Sequence, residues 1–322
     1  MGQQDSLPVD YQYLVKGLYG LSRAYRANTM AGHLGAAVTA GYFIAEQQPG
    51  LDPEVFRGIE SELDRILLGE SVFSPQPGAA ITVSEMFAPY EAQEAQPEAI
   101  ETIAQALTRN IGEAHESGHN VIFASIAIRA LKDHPELATS PIVNGIRRLI
   151  ADFDDTSPGS GYYGAKRGRI NGTQVELPDD EDFPLYSDLH SMAAAVFDQL
   201  ILSTGEIKQG YGGLVHIINH AAALCELAKY GYEGLAVDGL RAHHQHMRLW
   251  RALPDVSDEF GPETPVENSL RSPDYWQPGN LRPGAARLTH RIKTFYGFTI
   301  LSNFLDDPGR TIQAENSLLY FM

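Results

Sequence analysis

The most constraining feature of this sequence is a set of helical segments that are apolar on nearly every side and carry a histidine near their first turn. In segment 32–45, His33 is followed almost entirely by Gly, Ala, Val, Leu and aromatic residues. A helix of this composition has no polar face, so it must be buried on most sides. The sequence therefore predicts an all-α fold with buried central helices. Comparable segments begin near His119, His190, His216 and His290.

These segments predict a helical toroid or barrel, or alternatively a layered helical bundle. Amphipathic helices such as 235–253 would form an outer layer around the apolar helices. In a toroid the starts of the inner helices converge on one mouth, so their histidines would line one central pocket. The spacings between the histidines are uneven, so this convergence is a hypothesis and not a clean repeat.

The domain organisation follows from chain length and from two irregular stretches. We expect one all-helical domain over residues 1–322, large enough to bury a substantial core. A loop and hairpin insertion is expected at 154–187, where the Asn171-Gly172 pair predicts a small β-hairpin near 169–177. Residues 254–284 are rich in Pro, Gly and acidic residues, which indicates a lid-like loop.

Charge and composition limit the partners that the chain would bind. The sequence has 24 basic and 41 acidic residues, a net charge of −17, which disfavours nucleic acid and anionic membranes. We therefore expect a small-molecule partner. No apolar run is long enough to span a bilayer and the N-terminal residues are polar, so we expect a cytoplasmic protein. Cys225 is the only cysteine, which excludes an intrachain disulfide.

The motif with the clearest chemistry is His115-Glu116-Ser117-Gly118-His119. If it forms a continuous helix, positions i and i+4 share a face, and the imidazoles of His115 and His119 would bind one divalent cation. Glu116 would then act as a base on a metal-bound water, or as a further ligand. Gly118 weakens the helix, so the pattern is also compatible with a break there.

Other histidines extend this prediction to a larger centre. His216 and His220 have the same helical spacing and would contribute one or both ring nitrogens, and His33 is a further candidate ligand. His190 is a candidate catalytic residue beside Glu116. Several histidines with a carboxylate suit Zn, Fe or Mn, and the sequence does not choose among them. The candidate carboxylates are Glu113, Glu116, Asp188 and Asp198.

Two alternatives to this metal-dependent enzyme stay open. A zinc metallopeptidase or other hydrolase would need only the His115, Glu116 and His119 side chains. A non-catalytic small-molecule-binding protein would use the same histidines as packed, hydrogen-bonded core residues. Histidines that lie beside arginines on a polar helix predict a solvated face instead of a site. These residues are His243, His244 and His246, with Arg241 and Arg248.

Two families share short patterns with this chain. The segment 114–122, with His115-Glu116-Ser117-Gly118-His119, resembles the His-Glu-x-Gly-His signature of helical zinc peptidases. The stretch from His119 through Val121 to Leu131 resembles the His-x-Val-Ile…Ala-x-Arg-Ala-Leu pattern of questin-oxidase-like proteins. Residues 32–37 resemble an Asn-His-x-x-Met-Ala stretch of that second family, with Gly32 in place of the asparagine. The second resemblance implies an all-helical oxidoreductase that acts on polycyclic aromatic molecules.

Overall fold

A computed structural model of the chain describes residues 8–177, 183–284 and 286–322. Over these ranges the chain is built of helices with one small antiparallel pair of strands, which confirms the predicted all-α class with a small hairpin. The α-helices are α1 (Tyr11–Arg23), α2 (Gly32–Gln47), α3 (Pro53–Leu67), α4 (Val83–Phe87), α5 (Glu101–Thr108), α6 (His119–Asp133), α7 (Ser140–Ala151), α8 (Leu189–Leu202), α9 (Gly213–Lys229), α10 (Glu233–Asp238), α11 (Leu240–Arg251), α12 (Ser257–Phe260), α13 (Arg287–Leu305) and α14 (Pro308–Leu318). The strands are β1 (Ser160–Tyr162) and β2 (Arg169–Asn171).

The chain divides into two compact units, each of which combines several segments. Unit 1 comprises the described residues of Met1–Ile103, Ile126–Leu149 and Glu267–Tyr296. Unit 2 comprises the described residues of Ala104–Ser125, Ile150–Val266 and Gly297–Met322. The single domain over 1–322 and the ring-like arrangement of its helices stay predictions.

Unit 1 contains the apolar helix that the sequence predicts over 32–45. This helix, α2, is buried from Gly32 to Ala45, which confirms that it has no solvent-facing side. The sequence Asp52-Pro53-Glu54 predicts a helix N-terminus, and the next helix, α3, begins there. The Asp52 carboxylate accepts a hydrogen bond of 2.9 Å from the Glu54 amide, and Pro53 occupies the first turn. Both features are typical of a helix N-terminus.

Removing this N-cap is expected to lower the stability of the protein slightly. In Asp52→Ala the Glu54 amide loses its acceptor, and the free energy of unfolding should fall by about 1 kcal/mol. Urea unfolding of Asp52→Ala and of Asp52→Asn measures the effect, because asparagine keeps a side-chain oxygen at the same place. Equal losses in the two variants would contradict the capping role.

Unit 2 contains the hairpin, but its turn lies elsewhere than predicted. Strands β1 and β2 pair antiparallel with Gly161 opposite Ile170, so the chain reverses over residues 163–168. The prediction of a turn at Asn171-Gly172 is wrong. The Asn171 side chain instead accepts a hydrogen bond of 3.0 Å from the Thr173 amide and caps a 3-10 turn over Gly172–Gln174. The local hydrogen bond of the asparagine starts a helical turn and so does not close a hairpin.

Two further regions differ in their secondary structure from the sequence prediction. The predicted helix over 235–253 is divided into α10 and α11 at Gly239. The lid-like loop 254–284 contains the short helix α12 and buries Leu270 and Trp276. Among the helices of the described ranges, we find none with the length and apolar character needed to cross a bilayer.

Candidate metal centre

The segment from His115 to His119 is a turn and not a continuous helix. His115 has an extended backbone, and helix α6 begins only at His119. Between them the φ angles are positive: 41° at Glu116, 64° at Ser117 and 81° at Gly118. The expectation that His115 and His119 share a helical face is therefore wrong. Positive φ angles at three successive residues are incompatible with a right-handed helix.

This turn is fixed by backbone hydrogen bonds to a neighbouring loop. The Glu116 amide donates to the Ser157 carbonyl at 2.7 Å, and the Ser117 amide donates to the Pro158 carbonyl at 3.1 Å. Gly118 packs directly on His220, because a Cβ at residue 118 would lie 2.5 Å from Nδ1 of that ring. A glycine is thus required here both by the backbone angle and by the contact.

The turn determines the tautomer of His119. Its ring is 5% exposed, and Nδ1 lies within hydrogen-bonding reach of the Glu116 carbonyl oxygen. A carbonyl oxygen only accepts hydrogen bonds, so Nδ1 carries the proton. In the neutral ring, Nε2 is then unprotonated and has a lone pair. This is the form of imidazole that binds a metal ion.

His216 is held in the same way at the start of α9. Its Nδ1 donates to the Gly212 carbonyl at 2.5 Å, and the ring is 3% exposed. Gly212 has a φ angle of 69°, and a Cβ at that position would lie 2.3 Å from Cγ of His216. In the neutral ring, Nε2 of His216 is consequently the unprotonated nitrogen as well.

The two unprotonated nitrogens lie close to each other. Nε2 of His119 and Nε2 of His216 lie 3.1 Å apart, and the ring planes are inclined by 71°. Two lone pairs at this distance repel unless a cation lies between them. With metal–nitrogen bonds of about 2.1 Å, two ligands of one ion are about 3.0 Å apart at a right angle and about 3.4 Å apart at a tetrahedral angle. We call His119 and His216 the Nε2 pair.

A second group of histidines surrounds His220. Nε2 of His246 donates to the Tyr211 carbonyl at 2.8 Å, so its Nδ1 accepts from Nδ1 of His220 at 3.3 Å. His243 donates from Nε2 to the Ile217 carbonyl at 3.1 Å. Burial, the main cause, lowers the pKa of His243 to about 3 and that of His246 to about 4. Burial also lowers the pKa of His220 well below its usual value, so all three rings are neutral at neutral pH.

This group corrects the prediction of a solvated face on α11. His243 is 0% exposed, His244 6% and His246 1%. The ring of His244 stacks on Phe183, with centroids 5.0 Å apart, and its Nε2 donates to the Phe183 carbonyl at 3.1 Å. Each ring is satisfied by a carbonyl, which is why three histidines beside arginines are tolerated in the core.

Aromatic side chains and a cleft lie near these histidines in unit 2. The ring of Phe123, one helical turn after His119, lies 5.3 Å from that imidazole and 6.1 Å from Phe153. A cleft of about 620 Å³ opens along one face of α11, lined by Arg241, His244, Gln245 and Arg248 among other residues. Gln245 also accepts a hydrogen bond of 3.4 Å from the Ala114 amide, beside the turn.

Unit 1 holds two further predicted histidines beside a buried lysine. His33 stacks on Phe73 with centroids 3.8 Å apart, and the His290 ring meets His33 edge-on at 4.9 Å. Nδ1 of His33 contacts Nζ of Lys293, which is 2% exposed. Burial lowers the pKa of the Lys293 ammonium well below its usual range. The common pocket that would bring His33 to the Nε2 pair stays a prediction.

The other predicted residues differ in their burial and in the groups that they contact. His115 is buried and its Nδ1 donates to the Thr156 carbonyl at 2.9 Å. Glu116 is half-buried, and burial raises the pKa of its carboxyl group. His190 is exposed, with its ring 6.4 Å from Phe304. Among the other carboxylates, Glu113 lines the cleft, Asp188 caps α8, and Asp198 lies 3.4 Å from Arg310.

Two residues that bear on the site were not predicted. Lys293 stands among ordinary charged residues of α13, and Asn219 stands between two apolar positions and a histidine of α9. The signal for Asn219 is its spacing, three residues after His216, which places both on one helical face. For Lys293 the sequence gives no distinguishing signal, because two arginines stand in the same part of α13.

Comparison of the chain with protein-family models, with curated proteins and with solved structures finds no match.

Proposed function

We propose that this protein is a metal-dependent enzyme in which His119 and His216 bind a divalent cation. The observation that supports this proposal is the 3.1 Å contact between their Nε2 atoms. Each Nε2 is unprotonated, because a backbone carbonyl accepts the hydrogen bond of the Nδ1–H group in the same ring. Metal-binding histidines commonly donate their second ring N–H to a carbonyl or carboxylate in this way. Zn, Fe and Mn all accept imidazole nitrogen and are the candidate ions.

The proposed reaction is the activation of a small, largely apolar molecule, with the ion as Lewis acid or redox centre. An apolar substrate is supported by the ring of Phe123, which packs beside His119, and by Phe153, which packs against Phe123. Glu116 is the proposed base or further ligand, since its partly buried carboxyl group is more basic than an exposed one. The assignment as an oxidoreductase rests on the resemblance to questin-oxidase-like proteins.

Elemental analysis tests the metal centre. We expect about one Zn, Fe or Mn per purified chain, and a loss of most of it in His119→Ala and in His216→Ala. His190→Ala is the matched control, because His190 is exposed and makes no contact with the Nε2 pair among the described residues. A wild-type chain that takes up no metal, or a His216→Ala chain that keeps it, would overturn the proposal.

A proton shared between the two rings is a second explanation for the contact of the Nε2 pair. If one ring is protonated, its Nε2–H donates to the other Nε2, and 3.1 Å is an ordinary N–H···N distance. The pair would then serve as an acid and a base without metal. This alternative predicts a metal-free chain with an exchange-protected imidazole proton in its NMR spectrum, and the proton should disappear in His216→Ala.

Peptide hydrolysis distinguishes the peptidase alternative from an oxidoreductase. A zinc peptidase should lose peptide cleavage but keep its metal in Glu116→Gln. The proposed oxidoreductase should consume dioxygen or another oxidant with polycyclic phenols, and only when metal is bound. The non-catalytic alternative predicts neither activity, and a cost in stability alone for His119→Ala.

A further inference from the structure

Helix α9 carries an unsatisfied amide on the same helical face as His216. Asn219 follows His216 by three residues, so the two side chains leave neighbouring positions on one face of the helix. Side chains on a helix lean toward its N-terminus, which directs the Asn219 amide toward the turn that bears His216. Asn219 is 4% exposed.

Neither polar atom of this amide has a hydrogen-bond partner among the described residues. Both Oδ1 and Nδ2 of Asn219 are buried and unsatisfied, as is Nε2 of His220 on the next position of the helix. A buried unsatisfied polar group costs about 1–3 kcal/mol, so such groups are rare unless a ligand or a water binds them. The Asn219 amide holds two such atoms, which favours a bound molecule beside it.

The packing around Asn219 keeps the amide at this position. Gly297 of α13 lies against it, because a Cβ at residue 297 would be 2.6 Å from Asn219 Oδ1. The absence of a side chain there leaves room for the amide without offering it a hydrogen bond. Apolar Ile217, Ile218 and Ala221 occupy the neighbouring positions of α9 and are 0% exposed. The polar groups of this apolar stretch of α9 are the amide and the rings of His216 and His220.

We infer that Asn219 is a ligand-binding residue of the proposed centre, and that the ligand carries both a hydrogen-bond donor and an oxygen that the metal holds. Nδ2 donates to an oxygen of the ligand, and Oδ1 accepts from a hydroxyl or N–H group beside it. Hydroxy ketones, catechols and hydroxamates belong to this class. The inference rests on the proposed metal function, and it adds a substrate class to it.

Cobalt(II) and acetohydroxamic acid provide the test. Cobalt(II) is titrated first into metal-free protein, and its visible absorption reports the metal site. Acetohydroxamic acid is then titrated into the cobalt protein, because this chelator offers an N–H donor next to metal-binding oxygens. We expect Asn219→Leu to bind cobalt within about twofold of the wild type but to bind acetohydroxamate about tenfold more weakly, the loss of one charge-assisted hydrogen bond.

Thr299→Val is the matched control. The Thr299 hydroxyl is also buried and unsatisfied among the described residues, but it stands on α13. This variant should bind both cobalt and acetohydroxamate as the wild type does. Both variants remove an unsatisfied polar group, so both should be at least as stable as the wild type without metal.

Two failures are distinguishable. If the wild type shows no cobalt site, the metal function fails before the chelator is added, and the inference fails with it. If cobalt binds but acetohydroxamate does not change its spectrum, or binds Asn219→Leu as tightly as the wild type, only the inference is overturned. The amide would then hold an ordered water.

Discussion

Lowering the pH from about 7.5 to about 5 is expected to lower the free energy of unfolding by about 4 kcal/mol, because of two buried histidines alone. Burial holds the pKa of His243 at about 3 and that of His246 at about 4 in the folded protein. Both return to about 6.5 in the unfolded chain. Below that pH the unfolded chain binds protons that the folded protein does not.

The sign of this effect follows from the direction of the shifts. Because the folded pKa values lie below the unfolded ones, the full contribution is present above about pH 6.5 and is lost as the pH falls toward 4 and then 3. Burial also lowers the pKa of His220, which adds to the loss. Urea unfolding at half-unit intervals of pH measures the slope.

A variant separates this effect from general acid denaturation. His246→Gln keeps a polar side chain near the Tyr211 carbonyl but cannot be protonated, so the slope between about pH 6.5 and about pH 5 should fall by about one third to one half. A stability that is flat across this range in the wild type would show that these rings are charged or exposed in solution.

Gly212→Ala is expected to disrupt the Nε2 pair and to destabilise the protein by about 3 kcal/mol. The new methyl group would lie 2.3 Å from Cγ of His216, so the ring must leave its present position. The positive φ angle of 69° adds backbone strain, because a Cβ is disfavoured there. Cobalt affinity should fall by about tenfold or more, since one ligand is displaced.

Gly213 provides a matched control for this prediction. Its φ angle of 71° is almost the same, but a Cβ at that position meets no atom within 4 Å. Gly213→Ala should therefore show the strain alone, about 1 kcal/mol, with unchanged cobalt affinity. Urea unfolding and cobalt titration of both variants give the comparison. If the two variants behave alike, His216 is not constrained by Gly212.

The sequence predicted the helices of this protein better than its site. The apolar run after His33 identified α2, because composition alone requires such a helix to be buried. Asp52 and Pro53 located the start of α3, because caps act within one turn of the chain. Both signals are local, and no distant residue has to be known for either of them.

The motif around His119 shows where sequence reasoning failed. The spacing of His115 and His119 suits a helix, but hydrogen bonds to Ser157 and Pro158, about forty residues away, hold the turn in another shape. His243 and His246 were misplaced for a related reason. Their partners are backbone carbonyls of Ile217 and Tyr211, which no side-chain pattern reveals. Tertiary contacts therefore override helical spacing at both places.

The acceptors that orient the Nε2 pair are main-chain atoms, the carbonyls of Glu116 and Gly212. A carboxylate in that position could be exchanged by a single codon change, and the electron-donating strength of the imidazole would change with it. A peptide oxygen offers no such option. A substitution that replaces only a side chain therefore leaves the acceptors of His119 and His216 in place. The electron-donating strength of the two imidazoles changes through these acceptors only when the path of the backbone is altered.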